Sequence, residues 1–117
     1  MSDIELAWAA GFMDGEGTFG WQRQLGRKPI PYVQATQVDR RPLDRLHLVL
    51  GIGKVYGPYV PKRANEQPYF YFRATGVERT LSIAELLRPW LSPPKREQAD
   101  QIVAEVLAAS LEKQARR

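Results

Sequence analysis

The hydrophobic pattern at the start of the chain predicts a helix over Ser2–Asp14. Ser2 is a suitable N-cap, and Glu5 three residues later completes the pattern of a capping box. The segment Leu6–Met13 contains no polar side chain. A helix that is apolar all round is covered on every face, so we expect this helix to need a second packing partner besides the sheet of its own domain.

Small residues form a stripe along one side of this helix. Ala7, Gly11 and Gly15 recur every fourth position, with Ala10 beside them. Glycine in the middle of a helix costs about 1 kcal/mol relative to alanine, so Gly11 needs a packing reason. The stripe therefore predicts close approach by another backbone, although an ordinary core helix that tolerates a glycine would give the same pattern.

The rest of the chain alternates between strand and helix periodicity. Four segments show the period of two that is typical of strands, namely residues 17–24, 31–38, 54–60 and 69–74. Helical spacing follows at 43–50, 77–90 and 93–111, and prolines begin the first and last of these helices. The order α-β-β-α-β-β-α-α predicts an α+β fold in which helices cover one face of a four-stranded antiparallel sheet. We expect a single domain over residues 1–117, because two independent cores would each be too small.

The other face of the predicted sheet is polar without being acidic. Its side chains are Thr18, Gln22, Gln24, Tyr32, Gln34, Thr36, Tyr69, Tyr71 and Arg73. Glutamine and arginine are side chains that read base edges. A solvated antiparallel sheet is also polar outside, but lysine and glutamate are usually more frequent there. The composition therefore favours a nucleic-acid surface over a simple solvated face.

Charge and composition narrow the candidate chemistry. The chain carries 17 Lys and Arg against 13 Asp and Glu, one His and no Cys. Residues 1–17 hold four acidic and no basic side chains, whereas residues 18–79 hold eleven basic and four acidic ones. This distribution suggests a surface for a polyanion next to an acidic site. Without cysteine and with one histidine, a metal site would use oxygen ligands, which suit Mg²⁺.

The sequence gives no sign of a membrane or secretory segment. No apolar run approaches the ~18 residues that a membrane span needs, and the N-terminus is acidic where a signal peptide is basic. We expect a protein of the cytoplasm or nucleoid, or of an organelle, that binds neither a membrane nor a small-molecule substrate.

The segment Ala9–Gly17 resembles the nine-residue signature of the LAGLIDADG homing endonucleases, departing from it at Ala9, where the family has leucine. Segments similar to the family's later strands and helices follow in order at Tyr32–Gln37, Leu43–Leu46, Gly51–Val55 and Pro89–Ala99. Because the motif occurs once, the resemblance implies the homodimeric subfamily, with a saddle-shaped sheet and dimerisation through the first helix. It also implies a role in intron or intein mobility.

The resemblance implies a Mg²⁺-dependent DNA endonuclease that cuts both strands of a long pseudo-palindromic site and leaves 3′ overhangs. Mn²⁺ or Ca²⁺ would take the place of Mg²⁺ in binding. The implied catalytic residues are Glu16, Gln37, Arg41 and Lys95, and the metal ligands are Glu16 and the Gly15 carbonyl. Arg40 is the alternative to Arg41, because the segment is about two residues shorter than the family pattern.

Further roles are expected for the DNA and dimer surfaces. The DNA-binding residues would be Gln22, Gln24, Arg27, Lys28, Tyr32, Gln34, Thr36, Arg40, Tyr71 and Arg73. The dimer interface would contain Ala7, Ala10, Gly11 and Asp14, where Asp14 caps either the partner helix or local amides. His47 is expected to be a packed or surface residue. A relative that binds DNA or intron RNA without cutting is the alternative function, and a structural homodimer that binds no nucleic acid is a third.

Overall fold

The computed structural model describes residues 2–63 and 65–116 and contains helices and strands in the predicted order. The elements are α1 (Asp3–Glu16), β1 (Gly17–Gln22), β2 (Ile30–Gln37), α2 (Arg41–Leu50), β3 (Lys54–Tyr59), β4 (Tyr69–Thr75), α3 (Val77–Leu87), a short 3₁₀ turn (Arg88–Trp90) and α4 (Pro93–Ala115). The α+β prediction is confirmed. Within the described residues, no helix combines the length and the apolar character that crossing a membrane requires.

The four strands form one antiparallel sheet in the order β1-β2-β4-β3. Side chains alternate between the two faces as the period of two predicts. Phe19, Val33, Ala35 and Phe72 point to the helix-covered face and are buried. The register fixes which residues line up on the open face, where six of the ten candidate DNA-binding side chains lie.

The core lies between the sheet and the helices. α1 contributes Ala9 and Met13, which are completely buried, and α2 contributes Leu43 and Leu46. Half-buried His47 lies beside the Phe72 ring, with 6.4 Å between the ring centroids, as expected of a packed residue. Helix α1 is therefore tied to the sheet along one side only.

The opposite side of α1 is exposed in the single chain. Ser2 caps the helix as predicted, since its Oγ accepts the Glu5 amide at 3.2 Å. Ala7, Gly11 and Gly15 all lie on the exposed side. Ala10, in contrast, is fully buried in the core of its own chain. Its expected place at the dimer interface is corrected, because a helix turns by about 100° per residue and carries Ala10 away from the stripe.

Several element boundaries differ from the sequence prediction. β1 ends at Gln22 rather than at residue 24, because the chain turns there into the hairpin loop. The helix expected over residues 77–90 ends at Leu87 and continues as the 3₁₀ turn, in which Pro89 cannot donate a backbone hydrogen bond. The last helix extends to Ala115 instead of Leu111.

Candidate nucleic-acid interface and its acidic edge

The open face of the sheet presents ordered rows of hydrogen-bonding side chains. Direct backbone pairing aligns Thr18 with Gln34, Gln34 with Arg73, and Arg73 with Lys54, so one row crosses all four strands. None of the strand residues is acidic, and Lys54 and Arg73 are the only charged ones. The face can therefore donate and accept hydrogen bonds without repelling a polyanion.

Tyrosines occupy the same face beside this row. Tyr71 is opposite both Thr36 and Tyr56 in the register, and the Tyr56 and Tyr71 rings stack with centroids 5.1 Å apart. The Tyr59 ring lies 5.3 Å from that of Tyr71, with the two hydroxyls 3.4 Å apart. This hydrogen bond, reinforced by burial, raises the pKa of Tyr71 above its usual value. Tyr71 therefore stays a neutral donor and acceptor at physiological pH.

The structure separates the other expected DNA-binding residues into two groups. The first group lies on the open face of the sheet together with Tyr71 and Arg73, as predicted, and consists of Gln22, Tyr32, Gln34 and Thr36. The second group lies outside the strands. Gln24, Arg27 and Lys28 are in the exposed β1–β2 hairpin loop, and Arg40 is at the start of α2. The expectation that Gln24 lies on the strand was wrong for the reason given above.

Two of these basic residues, Lys28 and Arg40, have surroundings away from the open face. Lys28 lines a cavity of about 450 Å³ together with Trp21 and residues of α4, on the helix-covered side of the sheet. Arg40 forms an exposed ion pair with Asp44 at 3.1 Å. Their contribution to DNA binding stays a prediction.

The acidic edge is the junction where α1 passes directly into β1. Glu16 is the last residue of the helix and is exposed, and Gly15 beside it is also exposed. The ammonium group of Lys95, in the first turn of α4, donates to the Gly17 carbonyl at 2.5 Å. A carboxylate and an ammonium group from opposite ends of the chain therefore lie at one junction.

Gln98 is a residue of this junction that the sequence prediction missed. Its Oε1 accepts from the Phe19 amide at 3.1 Å and from Lys95 Nζ at 3.3 Å. Gln98 thus connects the start of β1 to the lysine and orients both. The signal was present in the sequence, because Lys95 and Gln98 are three residues apart on a helix and therefore share a face.

Asp14 joins helix α1 to helix α4 of the same chain. Its carboxylate accepts the Ser92 amide at 3.0 and 3.3 Å, at the N-cap position of α4. Of the two expected roles, the local one is therefore observed. This contact fixes the end of α1 against the start of α4, the helix that carries Lys95.

Gln37 lies at the end of β2 that faces this junction. Gly17, the first residue of β1, pairs with Ala35. Gln37 is two residues further along β2, so it projects past the start of β1 towards the end of α1. It is half-buried, and its expected catalytic role stays a prediction.

Arg41 is held by a different partner. Its guanidinium forms a bidentate contact with Asp39, with the shortest N–O distance at 2.6 Å, and its side chain is 89% exposed. The same contact lowers the pKa of Asp39 from 3.8 to about 2. No hydrogen bond joins either Arg41 or Arg40 to Glu16, Gln37 or Lys95 in the described part of the chain.

One chain offers few metal ligands by itself. Over residues 2–63 and 65–116, no group of three or more His, Cys, Asp or Glu side chains is arranged to hold a metal ion. The exposed Glu16 carboxylate and the Gly15 carbonyl supply only oxygen donors, the type that Mg²⁺ prefers. The donor set fits a hard divalent cation, provided that further oxygens come from another molecule.

Comparison with known proteins identifies the fold. No family model matches the sequence, and the comparison with curated proteins finds no match. Among solved structures, the chain is similar to the homing endonuclease I-CvuI bound to DNA, with a TM-score of 0.69 and 22% identity over 88% of this chain and 66% of I-CvuI.

Two further DNA-bound structures agree with that result. The archaeal intron-encoded homing endonuclease I-Vdi141I gives a TM-score of 0.68 with 18% identity over 91% of this chain and 70% of its own. The LAGLIDADG meganuclease I-AabMI gives 0.72 with 17% identity over 92% of this chain and 38% of its own. The chain thus spans just under two thirds of I-CvuI and well under half of I-AabMI. It has the fold of the LAGLIDADG homing endonucleases.

Proposed function

We propose that the protein is a homodimeric, Mg²⁺-dependent, site-specific DNA endonuclease. Each subunit would cut one strand of a long pseudo-palindromic site and leave 3′ overhangs. The observation that carries this proposal is the α1–β1 junction, where exposed Glu16 precedes Gly17, the residue whose carbonyl accepts from Lys95, at the edge of a sheet face without acidic residues. A carboxylate and an ammonium group that suit phosphodiester hydrolysis would thus lie at the edge of a surface that suits DNA.

The open face has dimensions and chemistry that suit duplex DNA. Four strands spaced about 4.8 Å apart present a surface about 15 Å wide, comparable with a major groove of about 12 Å. Gln34 in the central row can read base edges, and cations on and beside the face would hold phosphates. The DNA complexes of I-CvuI, I-Vdi141I and I-AabMI support the same substrate class.

The exposed stripe on α1 supports self-association. Ala7, Gly11 and Gly15 have small or no side chains and are open to solvent in the single chain. Ile4, at the start of the same side, is 80% exposed. A second copy packed on this stripe by a two-fold axis would bury these residues and bring the two Glu16 carboxylates together. A two-fold protein reads two half-sites, hence the palindromic target.

The paired junctions would also complete the metal site. Glu16 and the Gly15 carbonyl of both copies would hold Mg²⁺, with phosphate oxygens of the DNA filling the remaining positions. When bound, Mg²⁺ supplies activation of water and stabilisation of the leaving oxygen. Crystals of I-CvuI with DNA in 2 mM Mg and in 2 mM Ca support the choice of divalent cation.

The chain's own residues would position the substrate around this site. Lys95, held between the Gly17 carbonyl and Gln98, is oriented to attract the scissile phosphate. Gln37 at the end of β2 would hydrogen-bond the attacking water. Asp14 keeps α4 in register with α1 and so keeps Lys95 in place.

The test is the variant Glu16→Gln, which removes one charge and keeps the size of the side chain. We expect it to abolish cleavage with Mg²⁺ of sites selected from a randomised DNA library, while binding in Ca²⁺ persists. Glu5→Gln, an exposed glutamate at the other end of the same helix, is the matched control and should cut normally. Cleavage by Glu16→Gln at the wild-type rate would refute the metal assignment.

A non-cleaving protein that binds DNA or structured intron RNA is the second candidate. It is favoured by the Arg41–Asp39 contact, which leaves Lys95 as the one cation among residues 2–63 and 65–116 that forms a hydrogen bond at the junction. A nicking assay on supercoiled plasmid with Mg²⁺ separates the two candidates. Sequence-selective binding without nicking under these conditions would favour the binding protein.

A further inference from the structure

A second basic site lies at the far side of the sheet from the α1–β1 junction. The ends of β3 and β4 and the first turn of α3 enclose a cleft of about 360 Å³. Its lining includes Gly53, Lys54, Tyr56, Arg73, Thr75 and Arg79, and none of the described residues that line it carries a carboxylate. Three basic residues and two residues with hydroxyl groups therefore line one space.

The pairing of two of these cations is unfavourable for the folded chain alone. Lys54 and Arg73 are directly opposite each other on adjacent antiparallel strands. Side chains in such positions are about 5 Å apart at Cβ, and like charges there destabilise the sheet. Elsewhere in the described residues, arginines form ion pairs with Asp39, Asp44, Asp100 and Glu112. None of the three cleft cations has such a partner within the same residues.

Each arginine of the cleft is held in place without its charge being neutralised. The Arg73 guanidinium lies over the Tyr32 ring at 4.3 Å, and its Nε is inaccessible to solvent and has no hydrogen-bond partner. Arg79 donates one N–H to the Thr75 carbonyl at 3.3 Å. Among the described residues, the terminal N–H groups of Arg73 and the other N–H groups of Arg79 have no hydrogen-bond partner.

We propose that this cleft binds one backbone phosphate of duplex DNA. Phosphate oxygens would accept from the guanidinium and ammonium groups, which are the side chains that hold DNA phosphates. The cleft includes open-face residues of β3 and β4, so a duplex lying on the row that contains Gln34 would reach it. The inference rests on the proposed function and adds a contact that positions the DNA without reading its sequence.

The first test is the salt dependence of DNA binding by Arg79→Gln. Each phosphate contact adds about 0.9 to the slope of log K against log salt. We expect the slope to fall by about 1 per subunit, hence by about 2 for a homodimer. Binding to target and unrelated duplexes should weaken equally, and the cleaved sequences should not change. Lys113→Gln, an exposed lysine in the last turn of α4, is the charge-matched control and should keep the wild-type slope.

The variant Lys54→Gln separates a binding role from a structural one. Removing one member of the like-charge pair should raise the midpoint of urea unfolding, while DNA affinity and the salt slope fall. An unchanged slope in both variants would overturn the proposal. A change in preference at one base position, with the slope retained, would overturn it in favour of base reading.

Failure of the proposed function gives a different result. If the wild-type protein binds no duplex, the endonuclease proposal and the DNA contact both fail. A titration with inorganic phosphate, followed by the amide NMR signals of Gly53 and Lys54, then decides whether the cleft binds free phosphate. Saturable shifts that Arg79→Gln abolishes would replace the DNA phosphate by a free one, and an absence of shifts would leave the cleft without a ligand.

Discussion

Replacing Gly11 tests the proposed dimer. Substitution by alanine should stabilise an isolated subunit, whereas it should weaken the association of two subunits. Gly11 is an interior, exposed residue of α1, and a Cβ added there would meet no atom of the chain within 4 Å. Gly11→Ala should therefore stabilise an isolated subunit by about 1 kcal/mol, the difference in helix propensity between the two residues. A protein that works as a monomer would gain from this substitution.

In a homodimer the same substitution should weaken association. Two helices that meet at glycine have no room for extra methyl groups, and overpacking costs about 1–3 kcal/mol at each site. Because a two-fold axis places the substituted residue twice in the interface, the total overpacking cost is about 2–6 kcal/mol per dimer. This corresponds to a dissociation constant raised roughly 30-fold to more than 10⁴-fold. Gly11→Leu keeps good helix propensity and should give the upper end of that range.

The assay combines sedimentation at several protein concentrations with urea unfolding. We expect Gly11→Leu to sediment as a monomer where the wild type is a dimer, and to have lost the concentration dependence of its unfolding midpoint. Ala104→Gly, at an exposed position of α4, is the control, and should cost about 1 kcal/mol at every concentration. If Gly11→Ala and Gly11→Leu leave the dissociation constant unchanged, the stripe is not the interface.

Two further outcomes follow from the core and from the exposed acidic groups. Phe72→Ala should lower the free energy of unfolding by about 3–5 kcal/mol, because the ring is completely buried between the sheet and α2; a loss below about 1 kcal/mol in urea unfolding would contradict this packing. The Asp39 carboxyl should titrate at a pKa of about 2 in a carbon NMR experiment and return towards 3.8 in Arg41→Ala. Since this pKa is lower in the folded state, the stabilisation is present at neutral pH and is lost as the pH falls from about 3.8 towards 2; a wild-type midpoint near 3.8 would show that Arg41 is free.

Local patterns in the sequence were sufficient for the elements and for the faces of the sheet. Alternation along β2 correctly placed Val33 and Ala35 inside and Gln34 outside, because a strand has a fixed period of two. Ser2 correctly marked the start of α1, because capping needs only residues three positions apart. The prolines did not reveal that the helix after Gly76 would end at Leu87, since a proline can begin a helix or interrupt one.

The order of helices and strands, the polar face without acidic residues and the acidic residues around the end of the first helical pattern could therefore be read from the sequence. Packing of the helices on the sheet, in contrast, placed Lys95 on the Gly17 carbonyl, 78 residues away in the chain, and buried Ala10 while Ala7 stayed exposed. It also brought Lys54, Arg73 and Arg79 to one cleft. Periodicity and capping depend on residues a few positions apart in the sequence. Contacts between residues that are distant in the sequence depend instead on how the helices pack on the sheet.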